Sequence, residues 1–305
     1  MFERLVHSDW SVDARKRWCA SARRAAGHWR VSCPRRVPPL EQFVDELFDG
    51  RVLAGFDFPI GLPAAYGART GFESFREALN AFGSGPWHQF FEVADDPAQI
   101  SLHRPFYPRR STTGAKQPHL LAAHGVAALD ALHRRCERAT AERRAASTLF
   151  WTLGGNQVGK AALTGWRGVI RPALARGARL WPFDGTLAAL AATGGCVLCE
   201  TYPGEAYGHV GARFRSGESK RRQADRRAKA EAIIAWTGRH GVIFEAAARA
   251  AILDGFGPSN SGEDPFDALI GLLGMIEVVE GRRTPGPEQD DEIRRWEGWI
   301  LGQQL

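Results

Sequence analysis

The sequence predicts a mixed α/β fold, in which a three-stranded antiparallel meander is extended by parallel strands and flanked by helices. Three short strand patterns, at 5–10, 18–22 and 28–32, are separated by turns that contain Arg and Gly. A helical pattern at 40–47 then leads to an apolar strand at 52–56. A strand that returns after a helix favours a right-handed parallel crossover, so the sheet is predicted to be mixed.

The remaining patterns divide the chain into a core, an insertion and a tail. Residues 64–192 change character, because Pro- and Arg-rich loops precede a helical pattern at 120–146, and they are predicted to form a mostly helical insertion. A strand pattern returns at 195–201, followed by a basic segment, a helix that ends near Trp236 and a last apolar helix. We expect a single domain with its core in about 1–63 and 193–282, the insertion in 64–192, and a solvated linker with an amphipathic tail in about 283–305.

Composition and charge limit the classes of protein to which this chain can belong. The net charge is +6, and all but five of the 40 basic residues are arginine, whose planar guanidinium suits phosphate, although a GC-rich coding sequence produces the same bias. The longest apolar stretch, 268–279, is too short to span a bilayer, and the first residues lack a signal-peptide core. Five cysteines, an odd number, suggest reduced thiols. These features predict a cytoplasmic protein without membrane association.

Carboxylates mark the ends of the predicted strands. Asp9 ends the first strand, Asp57 ends the crossover strand and Glu200 ends the late strand, while Asp267 enters the last helix. Singly, each acid is more often a solvated strand terminus or a helix start, because chain ends tolerate carboxylates. Together they form a candidate site for Mg or Mn, which prefer oxygen ligands. Two such ions about 4 Å apart can activate water and stabilise the leaving oxygen in phosphodiester cleavage.

The last helix has an ordinary interpretation and a functional one. Asp264 as N-cap and Pro265 at the first helical position make a common acidic helix start that requires no function. However, steps of three and four residues from Asp267 reach Gly271 and Gly274, so this face has little side chain near its start. Such a face allows close approach to the sheet. Asp267 would then be buried, at a cost unless it meets a partner or a metal.

Five short motifs resemble one known family. They are "DWS" from Asp9, "DFPIGLP" from Asp57, "ETYPGEAY" from Glu200, "SK" ending at Lys220 and "EDPFDAL" around Asp267. In this order they resemble an uncharacterised family of predicted RNase H-like nucleases, domain-of-unknown-function family 429, related to the ribonuclease H and Holliday-junction resolvase superfamily. The resemblance spans nearly the whole chain. It implies an RNase H-like sheet and a metal-dependent nuclease whose ligands are Asp9, Asp57, Glu200, Asp264 and Asp267.

Basic residues near the last strand are candidates for nucleic-acid contact. A solvated helix face explains such a run about as well as phosphate binding does. Lys220 is the preferred contact to a phosphate or scissile group, and with Asp9, Asp57, Glu200 and Asp267 it completes the predicted catalytic set. The loop "HRPFYPRR" mixes Arg with aromatic residues and could grip phosphates and stack bases, or serve as a lid. The predicted substrate-binding residues are Arg213, Arg215, Arg221, Arg222, Arg109 and Arg110.

Two alternatives to a nuclease stay open. "GGNQVGKA", which ends at Lys160 and Ala161, has phosphate-loop spacing without the magnesium-binding hydroxyl, so an actin-like phosphotransferase or ATPase is one alternative. A non-catalytic module that binds nucleic acid or protein through its basic surface is the other. Cys196 and Cys199 form a CxxC, but in a strand their side chains point to opposite faces, which predicts core thiols and not a metal site.

Overall fold

The computed structural model describes residues 1–109, 114–139, 145–153 and 158–304. Within these ranges one mixed sheet forms the centre of the molecule, which confirms the predicted α/β class. Its strands are β1 (Arg4–Asp9), β2 (Trp18–Ala25), β3 (His28–Val31), β4 (Arg35–Arg36), β5 (Val52–Phe56), β6 (Arg179–Leu180), β7 (Cys196–Glu200) and β8 (Val242–Phe244).

The strand order is β6-β7-β5-β1-β2-β3-β8, with β4 paired to β2. Strand β2 is antiparallel to both β1 and β3, which gives the meander that the first strand patterns predict. Strands β5, β7 and β6 extend the sheet from β1 in parallel, and β8 lies parallel to β3 at the other edge. Strand β6 belongs to the insertion, so the insertion adds an edge strand to the core sheet.

The helices in the described residues vary from one turn to nearly five turns. They are α1 (Leu40–Glu46), α2 (Ala64–Gly67), α3 (Phe75–Ala81), α4 (Gln117–His124), α5 (Val158–Gly165), α6 (Arg171–Ala175), α7 (Leu187–Thr193), α8 (Pro203–His209), α9 (Gln223–Arg227), α10 (Ala230–His240), α11 (Ala246–Asp254) and α12 (Glu263–Val279). A π-helical turn at Trp166–Ile170 joins α5 to α6, and another lies at Ile293–Glu297. None of the described helices is both long and apolar enough to cross a membrane.

The predicted helix at 120–146 is wrong. Helix α4 ends at His124, where Gly125 adopts a left-handed conformation with φ of 62°. Two 3-10 turns follow, at Leu129–Leu132 and Arg135–Glu137. Residues 140–144 lie outside the described part of the chain. The stretch is rich in good helix formers, but tertiary contacts of the second 3-10 turn, described below, override that local preference.

Each face of the sheet carries its own apolar core. One core joins α1, the insertion and side chains such as Phe56 and Cys196, and the other joins α8, α10 and α12 with side chains such as Leu53 and Cys199. The two thiols of the CxxC therefore point to opposite faces, as their spacing in a strand predicts, and both are free.

Helix α12 packs closely on the sheet through its glycine face. A Cβ on Gly271 would lie 2.2 Å from the ring of His7 on β1, and a Cβ on Gly274 would lie 2.7 Å from Ala206 on α8. His7 is fully buried and its Nδ1 hydrogen bonds with the carbonyl oxygen of Ala268 at 3.0 Å. The close approach predicted from the glycine spacing is present, and it places the start of α12 against the end of β1.

Candidate active site

Two aspartates meet where neighbouring parallel strands end. Ser8 of β1 pairs with Phe56 of β5, so Asp9 and Asp57 follow at the same level of the sheet. The backbone N–H of Asp57 donates to the Ser8 carbonyl at 3.3 Å, and the backbone N–H of Trp10 donates to Asp57 Oδ1 at 2.7 Å. The main chain thus fixes both carboxyl groups at one edge.

The Asp9 and Asp57 carboxyl groups lie within hydrogen-bonding reach of each other. Two ionised carboxylates this close repel each other, so the pair favours a proton or a cation. Burial, with Asp57 and Asp267 nearby, raises the pKa of Asp9 well above its usual value. Burial also raises the pKa of Asp57 to about 7, although the Trp10 N–H opposes this shift. The pair therefore carries less negative charge than two free aspartates.

Helix α12 brings a third aspartate to the same place. Asp267 is buried and accepts hydrogen bonds from the Tyr207 hydroxyl on α8 and from Lys220 Nζ. Burial raises the pKa of Asp267, while Lys220 counteracts that shift. Burial opposes the charge of Lys220 in turn, but Asp267 and Asp9 together raise its pKa above the ordinary lysine value. The cluster consists of three carboxyl groups from three elements, with one ammonium group beside them.

Asp264 lies beside this cluster in a role different from the predicted one. The helix begins at Glu263, two residues before the predicted first helical residue Pro265, and its N-cap is Gly262, which makes no side-chain cap. The N-cap prediction for Asp264 is therefore wrong, because the 3-10 turn at Asn260–Gly262 leads directly into the helix. Burial and Glu263 raise the pKa of Asp264 to about 6, against the influence of Lys16. Its Oδ2 is buried without a hydrogen-bond partner in the described residues.

Glu200 takes a different direction from the three aspartates. It pairs in register with Phe56 and not with Asp57. Because successive side chains alternate between the faces of a sheet, this one-residue offset points Glu200 toward the insertion. Arg134 donates from Nη1 and Nη2 to the two carboxylate oxygens of Glu200, each at 2.7 Å, and the Ile60 N–H donates to Glu200 Oε2 at 2.7 Å. The metal-ligand role of Glu200 stays a prediction.

Arg134 is the centre of a buried charge network. Its side chain has no exposed surface, and its Nε donates to Glu137 Oε1 at 2.9 Å. Its Nη1 also donates to the Glu297 carbonyl at 3.0 Å, and the Glu297 carboxylate accepts from the backbone N–H of Arg135 at 2.8 Å. These bonds tie the insertion, the end of β7 and the C-terminal π-helical turn together. They also explain why the second 3-10 turn replaces the predicted helix.

A second buried arginine fixes the backbone that carries Lys220. Arg226 donates to the carbonyl oxygens of Lys220 at 2.6 Å, Gly255 at 2.7 Å and Gly257 at 2.7 Å. These acceptors belong to the Lys220 segment and to the loop before α12. Arg226 therefore holds Lys220 and the start of α12 in one rigid arrangement.

The predicted substrate-binding arginines are spread over two regions. Arg213 and Arg215 are exposed, and Arg222 pairs with Asp225 at 2.6 Å. Arg221 contacts Glu263 at 3.4 Å, which places it beside the start of α12. Arg109 pairs with Asp95 at 3.4 Å on the insertion. Arg110 lies outside the described residues. Their contact with a substrate stays a prediction.

The phosphate-loop candidate falls partly outside the described chain, since residues 154–157 are not covered. Lys160 lies in α5, and its Nζ donates to the Arg109 carbonyl at 2.9 Å. This contact to a main-chain carbonyl gives no support to the nucleotide-binding alternative, which stays a prediction.

A cavity of about 990 Å³ opens between the sheet edge and the insertion. Asp57 and Lys220 lie on one side, and Arg134, Glu137 and Glu200 lie on another. In the described ranges, no group of three or more His, Cys, Asp or Glu side chains is arranged to hold a metal ion. Lys220, which contacts Asp267, supplies a positive charge beside the aspartates.

Sequence reasoning missed several residues of this site. Arg134 and Glu137 lie in the insertion, more than 60 residues from Glu200 in the chain, and no local pattern identifies them. Tyr207 lies in the "ETYPGEAY" motif, but the motif alone does not indicate its hydrogen bond to Asp267. Lys16 lines the cavity from the turn after β1.

The comparisons with known proteins give a family and nothing closer. No curated protein matches the chain, and no solved structure matches it. One family model matches residues 9–292, a range that includes all three clustered aspartates, Lys220, Arg134 and Glu200 but not Glu297. The chain belongs to the family described as "Protein of unknown function (DUF429)".

Proposed function

We propose that the protein is a divalent-metal-dependent phosphodiesterase that hydrolyses nucleic acid. The observation that carries the proposal is the convergence of Asp9, Asp57 and Asp267 from two parallel strand ends and one helix. Burying three carboxyl groups together is costly, and a fold that needed them only as strand ends would leave them solvated. The three-stranded meander followed by a parallel crossover strand agrees with the RNase H-like resemblance, which supports the proposal.

The chemistry of the donor set fits Mg or Mn. All candidate donors are carboxylate oxygens, which these hard cations prefer. The Lys220 ammonium beside Asp267 is a positive charge that such a cation would displace or supplement. Asp264, whose buried Oδ2 has no partner in the described part of the chain, lies next to the cluster as a further oxygen donor. A bound ion would activate water and stabilise the leaving oxygen.

The side chains around the cluster have distinct tasks in this proposal. Tyr207 donates to Asp267 and fixes the orientation of its carboxylate. Burial and Asp267 raise the pKa of Tyr207 well above its usual value, so it stays a neutral donor. Lys220 lines the cavity and can hold a substrate phosphate there. The Arg134–Glu200 pair fixes the opposite wall and separates Glu200 from the aspartates.

The test is hydrolysis of nucleic acids and of bis(p-nitrophenyl) phosphate with Mg²⁺ or Mn²⁺, and with EDTA as the metal-free control. Asp57→Asn and Asp267→Asn are expected to lower the metal-dependent rate by at least about 100-fold, because each removes a carboxylate that would bind the metal directly. Glu231→Gln, a change at an exposed carboxylate on α10, is the matched control and should keep the wild-type rate.

Two outcomes would refute the proposal. One is a wild-type rate in both aspartate variants. The other is salt-sensitive nucleic-acid binding without any hydrolysis or any Mn²⁺ binding by wild type, which would favour the non-catalytic module.

A further inference from the structure

The insertion forms a fixed wall over the carboxylate cluster. Arg134 and Glu200 form a two-bond ion pair in which the arginine has no exposed surface. Trp10 Nε1 donates to Thr164 Oγ1 at 3.1 Å, and Trp166 Nε1 donates to the Pro59 carbonyl at 2.8 Å. Opening this wall would leave a buried charge unpaired, which is strongly unfavourable. These contacts therefore hold the insertion against the sheet beside the cavity.

The cavity has the size of a large small-molecule pocket. Its volume of about 990 Å³ lies at the upper end of the range of about 300–1,000 Å³ that is usual for small-molecule pockets. Asp57 and Lys220 line it, and the insertion lines the facing side through residues such as Ser147 and Ala161. Bases in a duplex are stacked and paired, whereas those of a single strand can be splayed into a pocket.

An exposed aromatic ring stands at the side of this cavity. Tyr202 is 48 % exposed, and it is the one aromatic residue among the exposed large hydrophobic residues of the described chain. It lines the cavity and precedes α8. Its ring packs over Gly204, where an added Cβ would lie 2.5 Å from the ring, so the ring has a defined position. An aromatic face of this kind can stack on any base.

We propose that the substrate is single-stranded nucleic acid, with one base stacked on Tyr202 and the adjoining phosphate beside Asp57 and Lys220. This inference rests on the proposed function and narrows its substrate to unpaired strands. A base that is paired in a duplex cannot lie on the Tyr202 ring without leaving the stack, whereas an unpaired base can, and Tyr202 supplies a base contact that a pocket for phosphate alone would not need.

Binding tests the inference independently of catalysis. A fluorescein-labelled oligonucleotide of mixed sequence, as DNA and as RNA, is compared by anisotropy in EDTA with the same sequence closed into a hairpin duplex. The single strand should bind at least about ten-fold more tightly than the duplex. Tyr202→Ala should weaken single-strand binding by about five-fold to 100-fold, the usual contribution of one stacked base. Leu253→Ala is the matched control, because Leu253 is equally exposed at 48 % and lies on α11, outside the cavity lining.

Equal affinity for hairpin and single strand, or an unchanged affinity in Tyr202→Ala, would overturn the inference. Its failure can be told from failure of the proposed function. If bis(p-nitrophenyl) phosphate is hydrolysed with Mn²⁺ but the hairpin is cut as fast as the single strand, only the strand preference is wrong. If the preference and the Tyr202 effect appear without any hydrolysis, the catalytic proposal is wrong and the binding inference stands.

Discussion

The carboxyl groups of Asp9 and Asp57 lie within hydrogen-bonding reach of each other at the ends of two adjacent parallel strands. Burial raises the pKa of both groups in the folded protein, whereas a solvated aspartate in the unfolded chain releases its proton near pH 4. The folded protein therefore binds more protons than the unfolded chain between about pH 4 and the raised pKa of Asp57, about 7. Stability of the metal-free protein must fall as the pH rises through this window.

We expect Asp57→Asn to reduce this loss of stability. The asparagine amide oxygen can still accept from the Trp10 N–H, but the amide is neutral and does not titrate. The difference in unfolding free energy between variant and wild type should shift by more than about 1 kcal/mol from pH 5 to pH 8, since one pKa unit corresponds to about 1.4 kcal/mol. Urea unfolding in EDTA at both pH values measures it, and parallel pH profiles for the two proteins would contradict it.

A second prediction concerns the close contact between α12 and β1. Gly271→Ala should destabilise the protein by about 1–3 kcal/mol, because the added Cβ would lie 2.2 Å from the His7 ring. The helix preference for Ala over Gly, up to about 1 kcal/mol, acts in the opposite direction and is the smaller effect. Gly238→Ala in α10 has nothing within 4 Å of the new Cβ and should be neutral or stabilising. Thermal unfolding of both variants tests the pair, and equal shifts would show that α12 can move away.

Third, Arg134 should be among the residues on which stability depends most. Arg134→Met leaves Glu137 and Glu200 buried without their counter-charge, which typically costs about 3–5 kcal/mol. Arg176→Met removes an exposed ion pair with Asp45 and should cost less than about 1 kcal/mol. Denaturant unfolding of the two variants side by side is the measurement. A loss in Arg134→Met no larger than the loss in Arg176→Met would mean that the network is dispensable.

Fourth, Lys220 and a divalent ion should compete for the same negative charge. Lys220→Met removes the ammonium group from Asp267, so the metal-free variant should unfold at a lower temperature than wild type. Added Mn²⁺ should then raise the unfolding temperature of the variant more than that of wild type, because the ion no longer shares the carboxylate with a cation. Lys116→Met, at an exposed lysine, serves as control. A smaller Mn²⁺ effect in Lys220→Met than in wild type would show cooperation instead of competition.

Local sequence patterns predicted most of the central sheet. The alternating and apolar runs that became β1, β2, β3, β5 and β7 each bury side chains against a core, so their patterns follow their environment. The glycine spacing of α12 predicted its close approach to the sheet for the same reason. Three of the predicted acids do meet in the fold, and spacing identified them because strand ends and a helix face can both be read from it.

Local sequence patterns did not predict the register between strands. Glu200 and Asp57 both end apolar strands, but β5 and β7 pair with an offset of one residue, and this offset sends Glu200 to the other face. The partner of Glu200, Arg134, comes from a stretch whose composition predicted a continuous helix. Pairings across more than 60 residues depend on tertiary packing, which a single sequence does not display.

The main chain of Glu200 also contacts the tail, because its carbonyl accepts from the N–H of Leu301, and Arg134 contacts the Glu297 carbonyl. About 100 residues of further synthesis separate β7 from these contacts. A chain synthesised only as far as β7 already contains Arg134, but it lacks the main-chain groups of Glu297 and Leu301 that complete these contacts. Completion of the cavity wall is a late event of biosynthesis, and truncation before the π-helical turn would leave that wall unfinished even where the sheet itself has formed.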